Sequence, residues 1–249
     1  PDKIMLFLTS LDFINMHENI SEESTFAEYY CSYAGHPHNG ERARQAWTNF
    51  QLYRFIEVIH TYKIKCYLSV LDYICEGHSI TEKHPEILAE TKDAKIINSI
   101  YMIKRFADGT YYEDFFLEKL LKVLNDYHFD GFHIADGVSS PRLQLQFGDF
   151  SKDVVNQSGI KVPEGQEPIV YITKHKYAEW VSFMARRWSL FLTKIINGLK
   201  KEGFESIVNS TWTKDPMEAM FRYGIDYSKI KEITSFAVEN VVTCLALLD

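Results

Sequence analysis

The run Phe129-Asp130-Gly131-Phe132-His133-Ile134-Ala135 enters through Asp-Gly, stays largely apolar and ends on Asp136-Gly137. A second run, Ile233 to Val238, ends in the same manner on Glu239-Asn240. A parallel strand buried on both faces excludes charge from the sheet, so an acid at its C-terminal tip lies where side chains emerge toward a ligand. Two carboxylates facing one bond, one ionised and one kept protonated by its surroundings, are the equipment that hydrolysis of a glycosidic bond requires. Asp136 and Glu239 are the candidate catalytic pair: in a retaining scheme one attacks the anomeric carbon and the other protonates the departing oxygen, and the sequence leaves the two roles exchangeable. The plainer reading of Asp136, or of Ser139 after it, is a cap for the free N–H groups of a following helix.

Other strand ends add to this constellation. Lys3 to Ser10 is a near-continuous apolar run that gives way to Asp12, Lys63 to Leu71 closes on Asp72, and Ser206 to Ser210 leads to Trp212. If these strands lie side by side, Asp12, Asp72, Asp136, Trp212, Glu239 and Asn240 share one rim. Trp212 would offer an apolar face to a sugar ring, and Asp12, Asp72, His133 and Asn240 would bind hydroxyls. Each also has an ordinary structural reading: Trp212 as core, His133 facing a helix, Asp72 and Asn240 as caps or turn formers. His36-Pro37-His38 raises a metal-dependent hydrolase as a second chemistry, but the pair sits in a loop with Gly35 and Gly40 rather than at a strand tip, so no metal and no cofactor is expected.

Helical periodicity separates these strands. Glu41 to His60 places Leu52, Phe55, Ile56 and Ile59 on one face, and Asp114 to Tyr127 aligns Leu117, Leu120, Leu121 and Leu124. Tyr177 to Lys201 is the clearest helix, with Val181, Met184, Trp188, Phe191, Ile195 and Leu199 in a stripe that reads as core, and Gly203 stops it. A further short helix is expected over 216–223. Ala107-Asp108-Gly109 suits a tight hairpin turn within 100–112. Residues 13–40 and 137–172 read as long loops, the second with room for a short helix.

Alternating strands and helices predict a parallel α/β architecture, either barrel or doubly wound, and the lack of a glycine-rich phosphate loop after any strand favours the barrel. The expected fold is therefore an α/β (β/α)8 TIM-type barrel in a single domain over 1–249. Only five strands are readable, or six if 96–103 forms one, against the eight that close such a barrel. The chain is thus expected to be incomplete as a barrel, a fragment of a longer protein.

At 249 residues and 46% hydrophobic, the chain can bury a sizeable core. Its net charge of −7 disfavours nucleic acid or an anionic membrane surface as partner and suits a neutral ligand. No apolar run approaches the ~20 residues that span a bilayer. A chain starting at Pro1-Asp2 is expected to be a processed or excised segment, soluble in the cytoplasm or secreted after loss of a signal. Cys31, Cys66, Cys75 and Cys244 show no zinc-like spacing and read as buried thiols.

The run 129–137, the strand Lys63 to Asp72 followed by His84-Pro85-Glu86, the helix Trp180 to Gly203 and the strand with Asn209 and Trp212 together resemble glycoside hydrolase barrels, those of the β-galactosidase-like group above all. The likeness covers most of the chain and implies a carbohydrate substrate, hydrolysis through carboxylates and no cofactor. In that group the fourth strand ends in Asn-Glu, the Glu being the acid/base, whereas Asp136-Gly137 stands here. Barrels of the α-amylase-like and dextranase-like groups are similar to the run as well and end the strand on an Asp nucleophile, yet alignment on Asp130-Gly-Phe-His-Ile puts Ala135 at that place and Asp136 one residue late. These departures leave four expectations open: a variant mechanism, a shifted loop, a nucleophile on a strand beyond Asp249, or a catalytically silent barrel that binds sugar.

Overall fold

A computed structural model describes residues 2–8, 10–22, 25–26, 48–72, 74, 79–135, 137–209, 213, 215–230 and 236–238. In chain order the elements are β1 (Lys3–Leu8), α1 (Asp12–Asn15), α2 (Asn49–Thr61), β2 (Lys65–Val70), β3 (Leu88–Glu90), β4 (Ile96–Ile100), α3 (Tyr112–Tyr127), β5 (Gly131–Ile134), α4 (Lys152–Ser158), α5 (Pro168–Tyr171), α6 (Tyr177–Lys201), β6 (Glu205–Asn209), α7 (Pro216–Tyr223), α8 (Tyr227–Ile230) and β7 (Phe236–Val238).

The five strands expected from the sequence form one sheet in the order β1-β2-β5-β6-β7, and every adjacent pair is parallel. Successive parallel strands are neighbours throughout, with no reversal of order. A doubly wound sheet reverses at a switch point, so this sheet is wound one way only, as in a TIM-type barrel. Closure into a ring of eight strands is not seen among the described residues. The segment 96–103 is not a sixth barrel strand: β4 pairs antiparallel with β3 in a separate two-stranded sheet. Its turn at 91–95 carries Ala94 at positive φ, and that hairpin is absent from the sequence reading because 88–90 is too short to show alternation.

Alternation sorts each strand between two faces. Cys66, Leu68 and Val70 in β2, with Phe132 and Ile134 in β5, are fully buried on one face, and α3 covers it, Phe116 meeting Phe132 at a ring distance of 6.1 Å. The Cys66 thiol lies there, and burial together with the Asp130 charge pushes it up to about 12. Tyr67, Ser69 and His133 occupy the opposite face, away from α3. Gly131 lets β5 and β6 close: a Cβ there would lie 2.2 Å from the Glu205 carbonyl oxygen.

The expected α6 stripe is core. Trp180, Met184, Trp188, Phe191, Ile195 and Leu199 are buried, each such side chain worth roughly 1.5–3 kcal/mol in transfer. Helix α2 starts at Asn49, not Glu41, and residues 41–47 lie outside the described set. Its start is a capping box: Thr48 Oγ1 accepts from the Gln51 N–H at 3.1 Å, and Gln51 Oε1 accepts from the Thr48 N–H at 2.8 Å. Of the segment 13–40 only 13–22 and 25–26 are described, and they hold the end of α1, while the expected loop 137–172 carries two short helices, α4 and α5.

The N-terminal ends of the strands are pinned by charge. Glu205 accepts from Lys3 Nζ at 2.9 Å, from Tyr67 Oη at 2.6 Å and from Lys65 Nζ, and these bonds hold its carboxyl down at about 2. A carboxyl depressed below its unfolded value contributes stability above pH 4.5 and loses it as pH falls toward 2. Replacing Glu205 with Gln should therefore lower stability at pH 7 by about 1 kcal/mol, a partly exposed cluster being screened by solvent. Denaturant titrations should show that difference shrinking between pH 5 and pH 2, where wild type loses what the variant never had.

Candidate functional site

Asp72 follows β2 by two residues and its side chain is fully buried. An enclosed carboxylate is costly unless its oxygens are engaged. The Ser99 hydroxyl donates to Oδ2 at 2.5 Å, and Arg142 Nη1 lies 3.4 Å from Oδ1. Ser99 comes from β4, which explains what the hairpin does: it folds over the tip of β2, and Asn98 Nδ2 adds a bond to the Ile74 carbonyl at 2.5 Å. Arg142 comes from the loop after β5, and its guanidinium remains about half exposed.

That loop reaches Asp72 because residue 137 is glycine. Gly137 has φ +79, and a Cβ built on it would stand 2.1 Å from Asp72 Cγ. Both the left-handed backbone and the close approach exclude a side chain. The same loop is tied to the hairpin by a buried ion pair: Lys104 Nζ, wholly enclosed, lies 2.9 Å from Asp149 Oδ2, 3.1 Å from Glu90 Oε1 and 2.6 Å from the Leu88 carbonyl. Asp149 also accepts from the Glu90 N–H at 2.8 Å and the Ser151 N–H at 2.9 Å. The loops that follow β2 and β5 thus form one unit at the C-terminal end of the sheet.

His133 lies on the face opposite α3, with Nδ1 2.8 Å from Ser69 Oγ, its partner in register. Burial lowers its pKa, which keeps the ring neutral near pH 7. Asp12 is buried at the start of α1, its N–H bonded to Ser10 Oγ at 3.1 Å. It belongs to the contact of α1 with α3, where the Tyr112 hydroxyl donates to Asn15 Oδ1 at 2.8 Å and burial, aided by the Asp12 charge, raises the Tyr112 phenol. Asp136, Trp212, Glu239 and Asn240 lie outside the described residues, as do His36 and His38. Among the described residues no group of three or more His, Cys, Asp or Glu could hold a metal ion, and no helix is long and apolar enough to cross a membrane.

The sequence reading missed Ser99, Arg142, Lys104 and Asp149. Lys104 carried a signal, a single lysine closing the apolar run Ile100 to Ile103, which foretells a buried pair. Ser99 and Arg142 carried none.

No protein-family model and no curated protein sequence matches this chain. Among solved structures, a β-galactosidase from the psychrophilic Marinomonas ef1 superposes with a TM-score of 0.52 at 8% identity, over 76% of this chain and 32% of that one. An α-amylase from Lactobacillus plantarum gives 0.41 at 13% identity over 94% of this chain and 44% of its own. A Bacillus subtilis protein described as a sporulation-specific glycosylase gives 0.39 at 11%, over 75% and 41%. The chain spans less than half the length of each. The first likeness alone exceeds 0.5, and at that identity it speaks for the fold. The class defined is α/β with a singly wound parallel sheet, the arrangement of TIM-barrel enzymes.

Substituting Gly137 tests the tip geometry. Gly137→Ala should cost at least about 2 kcal/mol, from left-handed strain and from displacement of Asp72. Gly109→Ala is the matched control, with φ +90 and no atom within 4 Å of the added Cβ, and should lose only about 1 kcal/mol of strain. Equal losses in thermal unfolding would show that Gly137 does not hold the two tips together.

Proposed function

We propose that this chain carries the mouth of a (β/α)8-type barrel that hydrolyses glycosidic bonds in a poly- or oligosaccharide, with Asp136 and Glu239 as the carboxylate pair. The observation that carries this reading is the apposition of Gly137 to Asp72. Asp72 and Asp136 each come two residues after the last paired residues of neighbouring strands, Val70 and Ile134, and the residue next to Asp136 packs on Asp72. Two strands far apart in the chain thereby bring Asp72 and the Gly137 backbone together at one end of the sheet, the end at which barrel enzymes hold their substrates.

In this proposal one of Asp136 and Glu239 attacks the anomeric carbon or activates water, and the other protonates the leaving oxygen. Asp72, enclosed by Ser99 and Arg142, orients the half-exposed guanidinium so that its remaining N–H groups meet sugar hydroxyls. A neutral His133 offers one ring nitrogen beyond the Ser69 contact. Trp212 supplies a stacking face, Asn240 a hydroxyl contact and Asp12 a support to the first loop. The similarity in fold to the Marinomonas β-galactosidase agrees with the reading, and the substrate stays at the level of the glycosidic bond.

The test is turnover of α- and β-linked oligosaccharides followed by release of reducing ends. Asp136→Asn and Glu239→Gln should each lower kcat by about 10³-fold or more while leaving ligand affinity within a few-fold of wild type, since each removes a transition-state contact. Wild type that binds sugar without turnover would identify a silent binding barrel, and variants with unaltered kcat would place the chemistry on other residues.

A further inference from the structure

Outside the strand tips, a groove of about 1080 Å³ opens between the turn at 79–84, the tight turn at 106–110 and the first turns of α3, with Met16 at one end. Its floor is aromatic: His84 meets Phe106 edge-on at 4.8 Å, and Phe106 meets Phe115 edge-on at 5.9 Å. Its rim is acidic, with Glu82, Asp108, Asp114 and Glu118 exposed around it and Lys83 as the opposing charge. Asp114 shares its charge with Lys194 at 2.7 Å, and Lys119 stands over Phe115 at 5.9 Å, so the acids at Glu82, Asp108 and Glu118 carry the local excess. Asp108 accepts from the Thr110 N–H at 2.9 Å and the Thr110 hydroxyl at 2.6 Å, bonds that hold its carboxyl below the usual range and keep it charged.

An aromatic floor suits the apolar face of a sugar ring. A neutral sugar meets the carboxylates through hydroxyl hydrogen bonds alone, and an anionic one is repelled, whereas an ammonium adds charge attraction to the acids and a contact with the ring faces. We propose that this groove is a subsite for an amine-bearing saccharide, its ring against Phe106 and its ammonium among Asp108, Glu118 and Glu82. The inference rests on the carbohydrate reading above and names a substrate class within it. The turns at 79–84 and 106–110 both belong to the connection between β2 and α3, the same connection that supplies Ser99 to Asp72.

Calorimetric titration of the intact chain with a glucosamine tetramer and with its N-acetylated counterpart separates charge from stacking. The glucosamine tetramer should bind about tenfold more tightly in low salt, with the advantage lost in high salt. Asp108→Asn combined with Glu118→Gln should erase that advantage and leave the N-acetylated tetramer unchanged, while Phe106→Ala should weaken both. Equal affinities for the two tetramers, or a charged tetramer indifferent to the acid substitutions, would overturn the subsite. Failure to bind either tetramer or any neutral oligosaccharide would overturn the carbohydrate reading itself, whereas neutral sugars bound or cleaved without a charge preference would overturn the subsite alone.

Discussion

The structure turns on one close approach, the backbone of Gly137 lying against the buried carboxylate of Asp72. A sheet of parallel strands leaves its C-terminal ends as separate tips, and nothing in the ladder obliges the loops beyond them to meet. Here they meet because a charge that has lost its water must be answered by neighbours, and the loop after β5 supplies Arg142 while the hairpin after β2 supplies Ser99. Glycine at 137 removes the atom that would forbid the contact.

The same logic runs outward from the tips. Lys104 and Asp149 form an enclosed pair whose remaining capacity is taken by Glu90, the Leu88 carbonyl and two backbone N–H groups, so the hairpin and the loop before α4 share one polar seam. Further out, Glu113 at the start of α3 meets Arg187 of α6 at 2.6 Å, and the guanidinium lies over the Tyr111 ring at 4.6 Å. Each pair is costly to break singly, because the survivor would be a buried charge with only part of its compensation left, Glu113 keeping Lys194 and Lys104 keeping Glu90. At the other end of the sheet, Glu205 gathers two lysines and a tyrosine, so both ends of the strands are fixed by electrostatics and the middle by apolar packing.

The sheet was legible in the sequence because its strands are short apolar runs closed by turn residues, a pattern that burial on both faces sets in β2, although Met5 and Phe7 of β1 are exposed. The α6 core stripe was legible for the same reason, from repeats at three- and four-residue steps. The β3–β4 hairpin was not, since three-residue strands show no periodicity, and its purpose depends on Asp72, which is distant in sequence. The start of α2 was written in Thr48 and Gln51, yet the face set by Leu52, Phe55, Ile56 and Ile59 does not mark where the helix begins. For the site, Asp72 was recognisable as a strand-end acid, but its enclosure by Ser99 and Arg142 is a tertiary fact that no local pattern encodes. His133 could be assigned to its strand but not to a face until the register with Ser69 fixed it.

The central claim is that acids at the ends of different parallel strands converge on one mouth. A crystal structure of the chain with a bound oligosaccharide measures it most directly, through the separation of the Asp136 and Glu239 carboxyl groups. The account predicts both groups facing the sugar beside Arg142, at roughly 5 Å for a retaining reaction or roughly 6.5–9.5 Å for an inverting one. Carboxyl groups turned to opposite faces of the sheet, or bound wholly to neighbouring backbone N–H groups with no sugar between them, would contradict it.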